Sequence, residues 1–161
     1  KGSVRTDLRR AEELIEIVRV DSPEALFDLH SQSFGRKNRR PAYPFATFTR
    51  LHQALSERGQ GQGFLAMGRK KGEAAAGVFL AFDRRQAALL LTGFDPAFRN
   101  SGALNALYWE AIRFCAERNL SLDFEGSMLQ GIERVFRAFG GELRPYFQVR
   151  RAGNTLLNRL I

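Results

Sequence analysis

The middle of the chain sets the tightest limit on its fold. Residues 64–68, 77–82 and 87–94 are three apolar stretches separated only by the short polar runs 69–73 and 83–86. Connections that short join antiparallel neighbours, so the pattern predicts a three-stranded meander. Asp95-Pro96 breaks the third stretch. Leu104, Leu107, Tyr108, Ala111, Ile112 and Cys115 then recur at helical spacing and form one continuous apolar stripe. A meander that runs into an amphipathic helix requires a mixed α/β (α+β) domain, with one sheet covered by helices on its faces.

The flanks extend this pattern. Residues 7–13 predict a short helix and the β-branched residues 15–20 a strand. Asp21-Ser22-Pro23-Glu24 is a helix start, with proline and an acidic side chain in the first turn. That helix carries Leu26, Leu29 and Phe34. The basic run Arg36-Lys37-Asn38-Arg39-Arg40 follows it. Phe45, Phe48, Leu51 and Leu55 predict a second helix, stopped by the glycine-rich run 59–63, which reads as a loop. Beyond the long helix, Leu120, Leu122 and Phe124 alternate with Ser121, Asp123 and Glu125 as in a strand with one apolar face. Ile132, Val135, Phe136 and Phe139 predict a last amphipathic helix ended by Gly140-Gly141. A final strand over 143–151, interrupted by Pro145, and a terminal helix over 154–161 complete the expectation. No repeat or composition break divides residues 1–161, which read as a single domain.

Composition excludes several classes of chemistry. A chain of 161 residues with 44% hydrophobic residues holds a core without metal or disulfide. The single cysteine, Cys115, rules out an internal disulfide and lies on the apolar helix stripe, so a buried core thiol is expected. His30 and His52 stand 22 positions apart with no motif around them, which argues against serine or cysteine hydrolase sets. The longest apolar run, residues 74–82, is far short of the roughly 20 that a membrane helix needs. The first residue is Lys1 and no signal-peptide core follows, so the expectation is a cytoplasmic piece of a longer protein. A net charge of +8 and pI of about 10.5 favour anionic partners without choosing among nucleic acid, nucleotide phosphates and an acidic membrane.

Chemistry has three candidate locations. At the first, Gly93, Phe94, Arg99, Asn100, Ser101, Gly102 and Ala103 span a strand end, a loop and a helix start. Helix starts expose unpaired N–H groups and attract anions, although Asn100 or Ser101 as a plain cap explains the same residues. At the second, Asp123 and Glu125 lie two apart on the predicted strand, so both carboxylates leave one face and suit general-base work. Pairing with Arg134 or Arg137, or capping the next helix, is the structural alternative. At the third, Tyr146 on the last strand is placed to donate a proton, or simply to pack.

Taken together, Leu122–Ser127, Gly131–Gly141 with Phe136 and Phe139, and Pro145-Tyr146-Phe147 resemble a known pattern. They are similar to the GNAT superfamily of acyl-CoA-dependent N-acyltransferases, nearest the branch related to the Fem-type aminoacyltransferases of peptidoglycan assembly. The helix around Trp109-Glu110 and the opening segment Arg5–Val18 add to the likeness, which covers most of the chain.

The resemblance implies a central, mostly antiparallel, twisted sheet that splays to admit an acyl-pantetheine arm. It implies transfer of an acyl group from an acetyl-CoA-type donor to a primary amine by direct attack. Glu125, with Asp123 beside it, would act as base, and Tyr146 or Tyr108 would return a proton to the leaving group. In the family the pyrophosphate lies on a (Q/R)-x-x-G-x-(G/A) loop. Arg99 and Gly102 match it, while Leu104 stands at the last position. A Fem-type donor, aminoacyl-tRNA acting on a cell-wall precursor, fits that departure as well. So does a catalytically silent binding module. Family members often carry two such lobes, so a second lobe or a homo-oligomer is an expected partner, and tRNA another.

Overall fold

The computed structural model describes residues 3–35, 40–125 and 130–145. Its helices are α1 (Val4–Leu14), α2 (Pro23–Gly35), α3 (Phe45–Glu57), α4 (Ala103–Ala116) and α5 (Gln130–Ala138). Its strands are β1 (Ile15–Val20), β2 (Gly61–Gly68), β3 (Ala74–Phe82), β4 (Gln86–Phe94) and β5 (Ser121–Asp123), in one sheet of order β1-β2-β3-β4-β5. β1 to β4 pair antiparallel, and β5 joins β4 in parallel. The expected mixed α/β class, meander and helix-covered sheet are all present.

Each sheet face has its own core. α1 and α4 cover one face, where Phe64, Val78, Leu80, Leu89, Leu107 and Phe114 pack together. α2 and α3 cover the other, where Leu26, Phe48, Leu65, Phe79 and Leu91 meet. Phe48, Phe64 and Phe79 are wholly buried, and each contributes on the order of 1.5–3 kcal/mol of apolar transfer. Cys115 is buried in the α4 core as expected, and burial raises its thiol pKa. Among the described residues no helix is long and apolar enough to cross a membrane.

Three boundaries differ from the sequence expectation. β2 begins at Gly61, inside the glycine run read as a loop. A Cβ on Gly61 would stand 2.8 Å from the Phe79 ring, and one on Gly63 would stand 2.7 Å from the Val20 carbonyl oxygen. These glycines admit close neighbours within a sheet, a role glycine propensity does not announce. Only Gly59, at φ 63°, makes the turn. β5 stops at Asp123, two residues short of Glu125. Residues 143–145 carry no regular structure, and the rest of the expected final strand, the terminal helix and Tyr146 lie outside the described residues.

Candidate active site

The sheet opens at β4. β5 pairs with it only from Gln86 to Ala88, while β4 continues to Phe94 with its outer edge uncovered by any strand among the described residues. A bulge lies on this stretch: Phe79 pairs with Leu91 and Leu80 with Leu89, so Leu90 is the extra residue. The bulge inverts the alternation. Leu89 packs toward α4, whereas Leu90 and Leu91 both pack toward α2 and α3. From there on, even-numbered residues face α4. Gly93 faces α2, where a Cβ would stand 2.2 Å from the His30 nitrogen. The close approach of the α2 backbone requires glycine at this position.

Asp95 N–H donates to the Ala75 carbonyl, so in the antiparallel register Thr92 and Phe94 direct their own backbone groups away from β3. Two side chains of α2 reach that edge. His30 Nδ1 lies 2.9 Å from the Thr92 carbonyl oxygen. Ser33 Oγ accepts from Phe94 N–H at 3.0 Å and lies 3.4 Å from the Phe94 carbonyl oxygen. Phe94, expected to bind cofactor, therefore has its N–H engaged within the chain. The Thr92 N–H has no partner among the described residues. Thr92, His30 and Ser33 were not singled out in the sequence. The available signal was the three-residue spacing of His30 and Ser33, which places both on one helix face.

Tyr108 approaches Thr92 from α4. It is 5% exposed, and its ring lies edge-on to Phe124, Phe136 and Phe139. Burial pushes its hydroxyl pKa up to about 12, with the Thr92 side chain pulling the other way. The phenol therefore keeps its proton at neutral pH and can serve as a hydrogen-bond donor.

The start of α4 borders a cavity of about 260 Å³ whose lining includes Phe94, Arg99, Asn100, Gly102 and Ala103. The cap residue is Gly102 and not Asn100 or Ser101; Ser101, one position earlier, is buried, and its hydroxyl donates to the Phe98 carbonyl and accepts from Ala103 N–H at 3.2 Å. Gly102 holds φ 80°, a left-handed conformation suited to glycine. A Cβ there would stand 2.1 Å from the Asp7 carbonyl oxygen, so α1 rests directly on this turn. Asn105 Nδ2 donates to Asp7 Oδ2 at 2.8 Å, and Arg10 Nη1 to the Asn100 carbonyl at 2.9 Å. Asp7 thus brings a carboxylate beside a helix start that favours anions.

The carboxylate pair is arranged differently from the expectation. Asp123 Oδ1 accepts from Glu125 N–H at 2.8 Å, which turns the chain out of β5. Glu125 takes φ 61°, so the two side chains do not share a strand face. Both are exposed and border a groove of about 510 Å³ between β5 and α5. Arg137 pairs with Glu133 on α5 and not with either of them.

Solved structures share this architecture. AAC(6')-Iy in complex with the bisubstrate analogue CoA-S-monomethyl-acetylneamine superposes with TM-score 0.66 at 18% identity, covering 86% of this chain and 99% of that one. A predicted acetyltransferase with acetyl-CoA from Clostridium acetobutylicum gives 0.65 at 12% identity, covering 86% and 96%. FemX gives 0.72 at 13% identity, covering 87% of this chain and 54% of FemX, so the chain spans about half of that protein. No curated protein matches the chain in sequence. Residues 1–144 match the family described as the acetyltransferase (GNAT) domain. With the parted β4 and β5, the bulge at Leu90 and the match over nearly the whole described chain, the protein belongs to the GNAT acetyltransferase-domain family.

Proposed function

We propose that this chain transfers an acyl group from an acetyl-CoA-type thioester to a primary amine by direct attack. The observation that carries the reading is the outward Thr92 N–H on the open stretch of β4. A fixed backbone donor on an uncovered edge is suited to hold a carbonyl oxygen as negative charge builds on it. Tyr108 stands on the same residue from the α4 side and stays protonated, so it can donate a hydrogen bond to the departing sulfur. Asp123 and Glu125 form an acidic lip that draws an ammonium toward the opening. The cavity at Arg99 and Gly102 is the place for the donor's phosphates.

The test is the melting temperature with and without saturating acetyl-CoA, followed by release of free thiol with a series of primary amines. A donor at 100 times its Kd stabilises the fold by about 2.7 kcal/mol, which moves the melt by several degrees. An unchanged melt and no thiol release would sink the reading.

The contact of Asp7 with Gly102, together with Leu104 at the last position of the phosphate-loop pattern, favours a second reading. The crowded turn suits a donor that makes no use of a pyrophosphate there, as an aminoacyl-tRNA of Fem type would. A tRNA titration at two salt concentrations tests it, since phosphate-backbone binding weakens steeply with salt.

A further inference from the structure

We propose that His30 takes the proton of the attacking amine at the open edge of β4. This rests on the acyl-transfer reading above. The Thr92 carbonyl oxygen can only accept a hydrogen bond, so the His30 nitrogen 2.9 Å away, Nδ1, must carry the hydrogen. In the neutral ring the lone pair is then on Nε2, and an imidazole in that form is a proton acceptor.

The ring is held in place on several sides. The Phe34 centroid lies 4.8 Å away and that of Phe27 6.0 Å, while Tyr43 stacks at 6.3 Å with planes 15° apart. The same helix is fastened one turn later by Ser33 on Phe94. His30 therefore cannot swing off the edge without breaking its bond to β4. Its anchor is the carbonyl of the same residue whose N–H is proposed to hold the acyl oxygen, so the base and the reacting carbonyl are brought together by one residue of β4. Glu125 has no comparable tether to that edge: it is exposed, beyond the end of β5.

The amine lone pair forms a C–N bond with the acyl carbon. The C–S bond breaks and its electron pair leaves on sulfur as a thiolate. The extra proton on nitrogen goes to His30 Nε2, and the resulting imidazolium then yields it to the thiolate. The sum is amine plus thioester giving amide plus thiol.

His30→Asn separates this role from a structural one, because the asparagine amide can still donate to the Thr92 carbonyl but has no basic nitrogen. The experiment measures melting temperature, acetyl-CoA Kd by calorimetry, and kcat by thiol release with the primary amine that the wild type uses fastest. The expected result is an unchanged melt and Kd with kcat lowered by roughly 10²-fold, the usual size of a lost general base. His30→Ala, which opens space, should regain rate when imidazole is added. Wild-type kcat in His30→Asn, or no response of His30→Ala to imidazole, overturns the proposal alone. A wild type that releases no thiol with any amine overturns the transfer reading itself, and this inference with it.

Discussion

The peptide nitrogen of His30 stands 2.2 Å from the point where a side chain on Gly93 would begin. Helix α2 is therefore seated on β4 backbone to backbone, and that seating brings His30 and Ser33 to the open edge. The obstacle is main chain, which cannot rotate away. Gly93→Ala should cost about 1–3 kcal/mol or more from overpacking. It should also lower transfer activity, because α2 must lift from Thr92 and Phe94. Chemical denaturation read alongside thiol release checks both.

Gly102 is held twice, by its φ of 80° and by the Asp7 carbonyl oxygen against its Cα. Gly102→Ala should loosen α1 from α4 at a cost of about 1–3 kcal/mol of strain. Asp7→Asn keeps the size of the side chain and removes a negative charge from the start of α4. Acetyl-CoA should then bind about two- to fivefold tighter, the range of a single charge acting on a helix end. Isothermal calorimetry on the two variants measures this, and equal affinity would place the donor's phosphates elsewhere.

Tyr108 links stability to alkaline pH. Its folded-state pKa of about 12 lies above the ordinary tyrosine value of about 10. The unfolded chain therefore loses this proton first as pH rises. The stabilisation is whole below pH 10 and fades toward pH 12, by about 2–3 kcal/mol in all. Tyr108→Phe should flatten that part of the stability profile, as followed by urea melts across the range.

His52 acts at the acid end. Burial against Phe48 and Phe79 lowers its pKa, with Asp21 and Glu24 opposing the shift. The folded chain favours the neutral ring, so the unfolded chain binds the proton first as pH falls below the usual 6.5. Stability should therefore decline as pH drops through that region. His52→Gln should show a shallower decline between neutral and mildly acidic pH in the same melts.

Glu125→Gln distinguishes the acidic lip from a base. With His30 receiving the proton, kcat should hold while KM for a cationic amine rises. A fall in kcat of roughly 10²–10⁴-fold would return the proton to Glu125.

Much of the fold could be read from period and punctuation. The meander, the α4 stripe and the Asp95-Pro96 break each follow from local pattern, and the strands and helix lie where that pattern puts them. The glycine run was misread because Gly61 and Gly63 serve neighbours distant in sequence, the Phe79 ring and the Val20 carbonyl. The carboxylate pair failed for a local reason: Asp123 bonds the Glu125 N–H and ends the strand between them. Arg99 and Gly102 stand in a loop pattern legible in the sequence, and both line one cavity. Thr92, His30 and Ser33 stayed hidden because they become one site only when α2 docks on β4, a contact between residues some 61–62 positions apart.

The extra residue at Leu90 decides which chemistry each side of the sheet receives. Were the same residues laid in an unbroken pleat, every position after Leu90 would turn to the opposite layer. Threonine would meet the α2 backbone, where only glycine fits, and glycine would lie beneath Tyr108 with no hydroxyl to offer. A single break in the pleat thus accommodates this sequence, with a smooth seat for one helix and a hydroxyl for another. Straightening the bulge with every residue kept would exchange the two faces and disturb both cores at once.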